Sequence, residues 1–194
     1  SLPLPEGRFL RCIDFMRVKW GACRFCKSEL PEPQVDLGVS PLSNAYLPVD
    51  RLRGGEVFYP LQIHVCLECF LVQLPVFEAP EQIFDHYAYF SSFSSSWVQH
   101  ARDFSLQMIE KLHLGSTSQV IEVASNDGYL LQHFMAKGIP VLGIEPAKNV
   151  AQAALSQGIP TETRFFGAQM AREMVSRGIL ADLLIGNNVL AHVP

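Results

Sequence analysis

The chain predicts an α/β protein in two parts. A small, loop-rich N-terminal domain is followed by the first half of a doubly wound parallel sheet. Three observations predict this. Cysteines fall in two C-x-x-C pairs, Cys23/Cys26 and Cys66/Cys69. Nine of the thirteen prolines and all five cysteines lie within residues 1–80, where no convincing helical period occurs. From residue 118 onward, strand-like and helix-like runs alternate, and a glycine closes each helical run.

Composition limits what such a chain can be. With 194 residues, 48% hydrophobic and 18% charged, there is room for one domain, or a small one plus part of another, with a packed core. The net charge of -4 comes with no basic stripe, so nucleic acid and an anionic membrane are not expected partners. No apolar run reaches the roughly 18 to 20 residues that span a bilayer. The first residues, SLPLPEGRFLRC, lack the charged and apolar regions of a signal peptide. A cytoplasmic location is expected.

Residues 1–80 are read as a metal-binding module. VFYPLQIHVC (57–66) and FLVQLPVF (70–77) look like short strands broken by proline. Residues 81–117 are read as a helical linker. Val98, Ala101, Phe104, Leu106, Met108, Ile109 and Leu112 recur at roughly helical spacing, with a start after the serine cluster at 91–96 and a stop at Gly115. Residues 118–194 give QVIEVAS (strand), YLLQHFMAKG (helix), PVLGIEP (strand), KNVAQAALSQG (helix), PTETRFF (weak strand), GAQMAREMVSRG (helix) and ADLLIGNNVL (strand). This β-α-β-α-β-α-β order, with helices of about 10 residues, implies right-handed crossovers and a parallel sheet. Such sheets usually carry more strands, so a longer parent protein is expected.

In a reducing compartment two C-x-x-C knuckles suit one tetrahedral ion, and four thiolates suit zinc. The expected ligands are Cys23, Cys26, Cys66 and Cys69. With no open vertex the site is expected to be structural. The 39 residues between the pairs require a sizeable loop or hairpin. Cys12 falls outside the pattern, and His64 is read as a packed side chain.

The turn VASNDG after the first strand is the candidate ligand site. Ligands of doubly wound sheets bind beyond the carboxyl ends of strands. A diphosphate cradle would be glycine-rich; this turn has Gly128 and the repelling Asp127. Glu145, in GIEP, is expected to end the second strand beside it. Asn187 and Asn188 are expected to end the fourth. Carboxylates and amides without a phosphate cradle match S-adenosylmethionine.

VIEVASNDGYLL, GIEPAKNVA and NNVLAHVP resemble the S-adenosylmethionine-binding motifs of sugar C-methyltransferases acting on nucleotide-linked deoxysugars. DLGVSPLSNAYL, the C-x-x-C pairs and YFSSFSSSWVQHA resemble that family's zinc-binding N-terminal domain and the segment joining it to a Rossmann-like methyltransferase core. The resemblance implies that Glu122, Ala124, Ser125, Asn126, Asp127, Gly128, Glu145 and Pro146 contact the cofactor. It implies the same of Asn187, Asn188 and Leu190, with Tyr89 and Ser92 as contacts from the joining segment. It implies a reaction in which a base removes the C3 proton of a 4-keto sugar carried on thymidine diphosphate, and the enolate carbon takes the sulfonium methyl. The catalytic base is not identified; His192 is a weak candidate. The family's remaining strands and C-terminal domain are not in this sequence. The fragment alone is therefore expected to be inactive, with the missing half of the protein as a possible partner. Two alternatives stay open: a non-catalytic zinc-stabilised binding or interaction module, and a methyltransferase of this architecture with another substrate.

Overall fold

A computed structural model describes residues 20–43, 45–84 and 87–190. The chain divides into two compact units. One holds the chain up to Leu42 together with Val49–Phe77; the other holds Ser43–Pro48 and the chain from Glu78 onward. Cys12 and His192 lie outside the described residues.

The first unit is a three-stranded antiparallel sheet, β1 (Val35–Ser40), β2 (Tyr59–Val65) and β3 (Val72–Gln73), in that order. β2 and β3 are the two proline-interrupted runs. β1 is not legible as a strand, because Asp36 and Gly38 interrupt its apolar residues and disfavour extended pairing. Pairing with β2 overrides that weakness through a register shift between Asp36 and Val39. Asp36 holds the irregularity: one carboxylate oxygen accepts the Gly38 N–H at 2.8 Å and the other accepts Gln62 Nε2 at 3.0 Å. Gly38 itself sits at φ +81°. The buried core here is small: Cys23, Leu30 and Cys66, flanked by Trp20, Cys69 and Leu71.

The second unit is a parallel sheet of β4 (Val120–Val123), β5 (Val141–Ile144), β6 (Thr161–Glu162) and β7 (Leu183–Ile185), ordered β6-β5-β4-β7. Its helices are α1 (Pro80–Phe84), α2 (Ser95–Leu112), α3 (Leu131–Met135), α4 (Lys148–Ser156) and α5 (Ala168–Ser176). Successive residues of β4 face opposite cores, as the two-residue period of a strand requires. Val120 packs with Phe134, Leu131, Ala154 and Ala101 from α3, α4 and α2, while Ile121 and Val123 pack with Met170 and Met174 of α5. Helices therefore cover both faces, and β4 reads VIEV because all four residues are buried. Trp97, Phe104, Met108 and Ile109 of α2 pack against the first of these cores.

The long helix starts where the serines predict: the Ser94 side chain accepts the Trp97 N–H at 3.3 Å. Its end differs from expectation. His113, at φ +52°, takes the left-handed capping position two residues before Gly115. The Leu114 N–H then closes back on the Ile109 carbonyl at 3.0 Å, so Gly115 is not required. α3 is also shorter than the ten residues expected. Regular helix stops at Met135, and Gly138, at φ +71°, turns the chain so that Ile139 enters the core.

Candidate metal centre and ligand site

The two cysteine pairs adopt one local fold twice. In CRFCK the Cys23 carbonyl accepts the Lys27 N–H, and the Cys23 N–H donates to the Ser28 carbonyl. In CLECF the Cys66 carbonyl accepts the Phe70 N–H, and the Cys66 N–H donates to the Leu71 carbonyl. Lys27 (φ +66°) and Phe70 (φ +60°) reverse the chain at equivalent places. Each knuckle thus turns two thiols toward one point.

All four sulfurs lie within 4.8 Å of one another, with Cys23–Cys69 at 3.6 Å and Cys26–Cys66 at 3.5 Å. Zn–S bonds of about 2.3 Å place the sulfurs of a tetrahedron roughly 3.8 Å apart, so the cluster fits zinc without rearrangement. Two residues that the C-x-x-C spacing does not reveal support it. Gln73 Nε2 donates to Cys23 Sγ at 3.2 Å while its Oε1 accepts the Arg24 N–H at 3.0 Å. The Ser28 hydroxyl lies 2.9 Å from Cys26 Sγ and 3.1 Å from Cys66 Sγ. Gln73 brings the Cys23 thiol down to about 6, and Ser28 lowers Cys66. Cys69 moves the other way: against a backbone bond from Leu71, burial and the three neighbouring thiols push it up to about 12. A lone glutamine inside FLVQLPVF was the available signal for the first. His64 is fully buried outside the cluster; its Nδ1 lies 2.9 Å from the Pro31 carbonyl and its ring packs near Trp20.

In the sheet unit, β4 is where strand order reverses: β5 and β6 lie to one side and β7 to the other. The turn after β4 is unusual. Ala124 (φ +56°), Asn126 (φ +52°) and Gly128 (φ +81°) alternate in the left-handed region, which costs a non-glycine residue about 1 kcal/mol or more. Gly128 meets a second constraint, because a Cβ there would stand 2.3 Å from the Ile159 side chain. The strained turn is held by Glu145 just past β5. One carboxylate oxygen accepts the Asn126 N–H and the other the Ala147 N–H, both at 2.9 Å. The Asn126 and Ala147 N–H groups are thus satisfied by the protein's own carboxylate.

What remains is a set of buried acceptors. Glu122, Ser125, Asn126, Asp127 and Glu145 are all buried. Glu122 Oε2, Asp127 Oδ1 and Ser125 Oγ have no hydrogen-bond partner, the carboxylate oxygens each carrying capacity for a donor. Burial drives the Glu122 carboxyl well above the usual range; a bond from Tyr129 opposes this, and the charges of Glu145 and Asp127 add to it. Burial also raises Glu145 against its two backbone bonds. Tyr129 is pushed up to about 12, by burial first and the Glu122 charge second. Gly143 on β5 makes room for Ser125: a Cβ there would lie 2.4 Å from its Oγ.

The other expected contacts divide. Asn187 and Asn188 line a cavity of about 180 Å³ with Trp97, His100, Phe104 and Tyr129, and Asn187 bonds Tyr129. Trp97 stacks on Tyr129 with ring centroids 5.9 Å apart. The sequence reading missed both aromatics, which pass for ordinary core residues. Tyr89 and Ser92 lie beside the turn: the Tyr89 carbonyl accepts Asn126 Nδ2 at 3.1 Å, and Ser92 donates to Asp127 through its N–H at 3.1 Å and its hydroxyl. Pro146 is half-buried behind Glu145 in sequence, and Leu190 is 86% exposed. Among the described residues no helix is long and apolar enough to cross a membrane.

Residues 23–84 match a family described as "Putative zinc binding domain". The chain is 34% identical over 172 residues to "C-methyltransferase NovU" of Streptomyces niveus, a match covering 89% of this chain and 41% of that protein. It therefore spans about two-fifths of the length of this curated relative. Among solved structures, the [4+2]-cyclase SpnF aligns over 53% of this chain and 32% of its own, at 20% identity and a TM-score of 0.26. The MccD protein aligns over 46% and 32%, at 13% identity and the same TM-score. Those scores are too low to bear on function. Most of the chain is thus similar to part of a C-methyltransferase, and the residues that match the zinc-binding domain family hold the four-cysteine cluster.

Proposed function

We propose that this chain is the zinc-binding and S-adenosylmethionine-binding part of a C-methyltransferase. The observation that carries the proposal is the buried, acidic turn at the carboxyl end of β4, where strand order reverses and where Asp127 Oδ1, Glu122 Oε2 and Ser125 Oγ lack partners. Asp127 offers a carboxylate oxygen to a hydroxyl or ammonium group and would repel a diphosphate, and Ser125 and the Glu122 carboxyl, which burial holds toward its protonated form, lie in the same buried set. Asn126, Gly128 and Ala124 shape the turn, Glu145 fixes it from the end of β5, and Pro146 follows Glu145 as an expected cofactor contact. Asn187 and Asn188 present amides at the end of β7. Bound there, S-adenosylmethionine would supply an electrophilic methyl on sulfur. The zinc would hold the N-terminal module and take no part in the chemistry. The similarity to a C-methyltransferase supports a carbon acceptor.

The finer reading is transfer to C3 of a 4-keto deoxysugar on thymidine diphosphate, a small-molecule sugar nucleotide. It rests on the motif resemblance. The same reading places the base outside these residues, so the chain alone should bind but not turn over. Calorimetry on the zinc-loaded chain tests the proposal. S-adenosylmethionine and its demethylated product should bind, a nicotinamide dinucleotide should not, and Asp127→Asn should weaken binding about tenfold or more. A folded sample that ignores both sulfur ligands would leave the non-catalytic module as the correct reading. Methylation of a keto-sugar nucleotide by residues 1–194 alone would overturn the expected inactivity.

A further inference from the structure

The acceptors assigned to the ligand are sealed in this structure. Asp127 is 2% exposed, Glu122 1% and Ser125 0%. Residues 87–92 lie beside them, and apart from a short 3-10 turn beginning at Ser91 they belong to no helix or strand. This segment is attached through its main chain to side chains of the sheet unit. Ser91 N–H donates to Asn126 Oδ1 at 2.9 Å, and Ser92 N–H and hydroxyl donate to Asp127. Asn126 Nδ2 returns a bond to the Tyr89 carbonyl. At the other end, Asn149 of α4 clamps Tyr87 twice: its Oδ1 accepts the Tyr87 N–H at 2.9 Å, and its Nδ2 donates to the Tyr87 carbonyl at 2.6 Å.

We infer that residues 87–92 form a gate over the β4 turn, and that Asn149 is its latch. The inference rests on the proposed ligand site, because the gate matters only if Asp127 and its neighbours must be reached. The physical reason is the mode of attachment. Bonds between a main chain and polar side chains can be exchanged for water without unpairing a sheet or emptying a core. Opening frees Asp127 Oδ2, now occupied by Ser92, for a ligand donor. The two side-chain hydrogen bonds of Asn149 go to Tyr87 and not to the groups assigned to the ligand, so it sets how often the gate opens without setting what binds. It is a positioning residue.

Two measurements on the zinc-loaded chain test this: amide hydrogen exchange at residues 87–92, and stopped-flow binding of demethylated S-adenosylmethionine. Asn149→Ala removes both hydrogen bonds to Tyr87 and should speed exchange across 87–92 about thirtyfold, leaving β4 and β5 protected. Association and dissociation should both accelerate, with the Kd changing much less than either rate. A merely structural loss would slow association while speeding dissociation. Asn149→Asp, which keeps the acceptor for Tyr87 N–H and suits the first turn of a helix, should give an intermediate result and guards against a misfolded alanine variant. Unchanged exchange at 87–92 in both variants overturns the latch. Faster exchange with unchanged binding rates overturns the gate. A parent chain that binds no sulfur ligand overturns the proposed function and the gate with it, while the exchange result still decides whether Asn149 holds the segment.

Discussion

The two units reach stability by opposite routes. The first buries three core residues, two of them cysteines, and leaves Val35, Leu37, Val39, Phe70 and Val72 exposed. Its sheet is short and irregular, and its two turns converge on sulfurs. The second buries two clusters on either face of a parallel sheet, with Phe134, Leu131, Ile144, Val120 and Val150 at 2% exposure or less. A thin core needs a metal because few apolar side chains offset the entropy of ordering the chain; a thick one does not. The difference also shows where polar groups can be buried. In the first unit one of them, Gln73, bonds a thiol and another, His64, a backbone carbonyl. In the second, a surplus of packing energy tolerates three left-handed residues in one turn and buried carboxylates without full pairing.

The largest test of that contrast is metal removal. Chelation, or Cys66→Ser, should release about one zinc per chain and unfold the first unit, since structural zinc contributes on the order of 10 kcal/mol to such modules. Metal analysis with limited proteolysis would show it, and the sheet unit should survive; joint collapse would break the contrast. Next, Phe134→Ala should cost the sheet unit about 3 to 5 kcal/mol in denaturant unfolding while zinc content stays the same. A pH series follows. Because the folded Glu122 holds its proton more tightly than the unfolded chain does, its contribution is fully present below the ordinary carboxylate range and is lost as pH rises through the raised folded value. The sheet unit should therefore lose stability as pH climbs from that range, and Glu122→Gln, an analogue of the protonated acid, should flatten the dependence. The smallest effect is Ser94→Ala, which removes the cap of α2 and should cost about 1 kcal/mol by thermal melting.

Much of this molecule can be read along the chain, because the informative signals are local. The C-x-x-C spacing fixes knuckle geometry within five residues, and strand-helix alternation follows from a periodicity of apolar residues. The glycines at 138, 158 and 178 mark turns with positive φ. Where a pattern was weak the reading failed locally. β1 is broken by Asp36 and Gly38 and becomes a strand only by pairing with β2. α2 ends on His113 because any residue can be pressed into a left-handed cap when the next one, Leu114, closes back on the helix and is buried.

The sequence by itself determined the four-cysteine set, the parallel order of the sheet unit's elements and the polar character of the turn after β4. Only the tertiary structure decided what those polar groups do. It spent Glu145 on the turn's own N–H groups, set Gln73 and Ser28 against the thiols, and drew Tyr129 to Glu122 and Asn149 to Tyr87. These partners lie 19 to 62 residues apart in most cases, and no local period records them. A hydrogen bond across the fold depends on where packing delivers two side chains, and that is settled by the core as a whole.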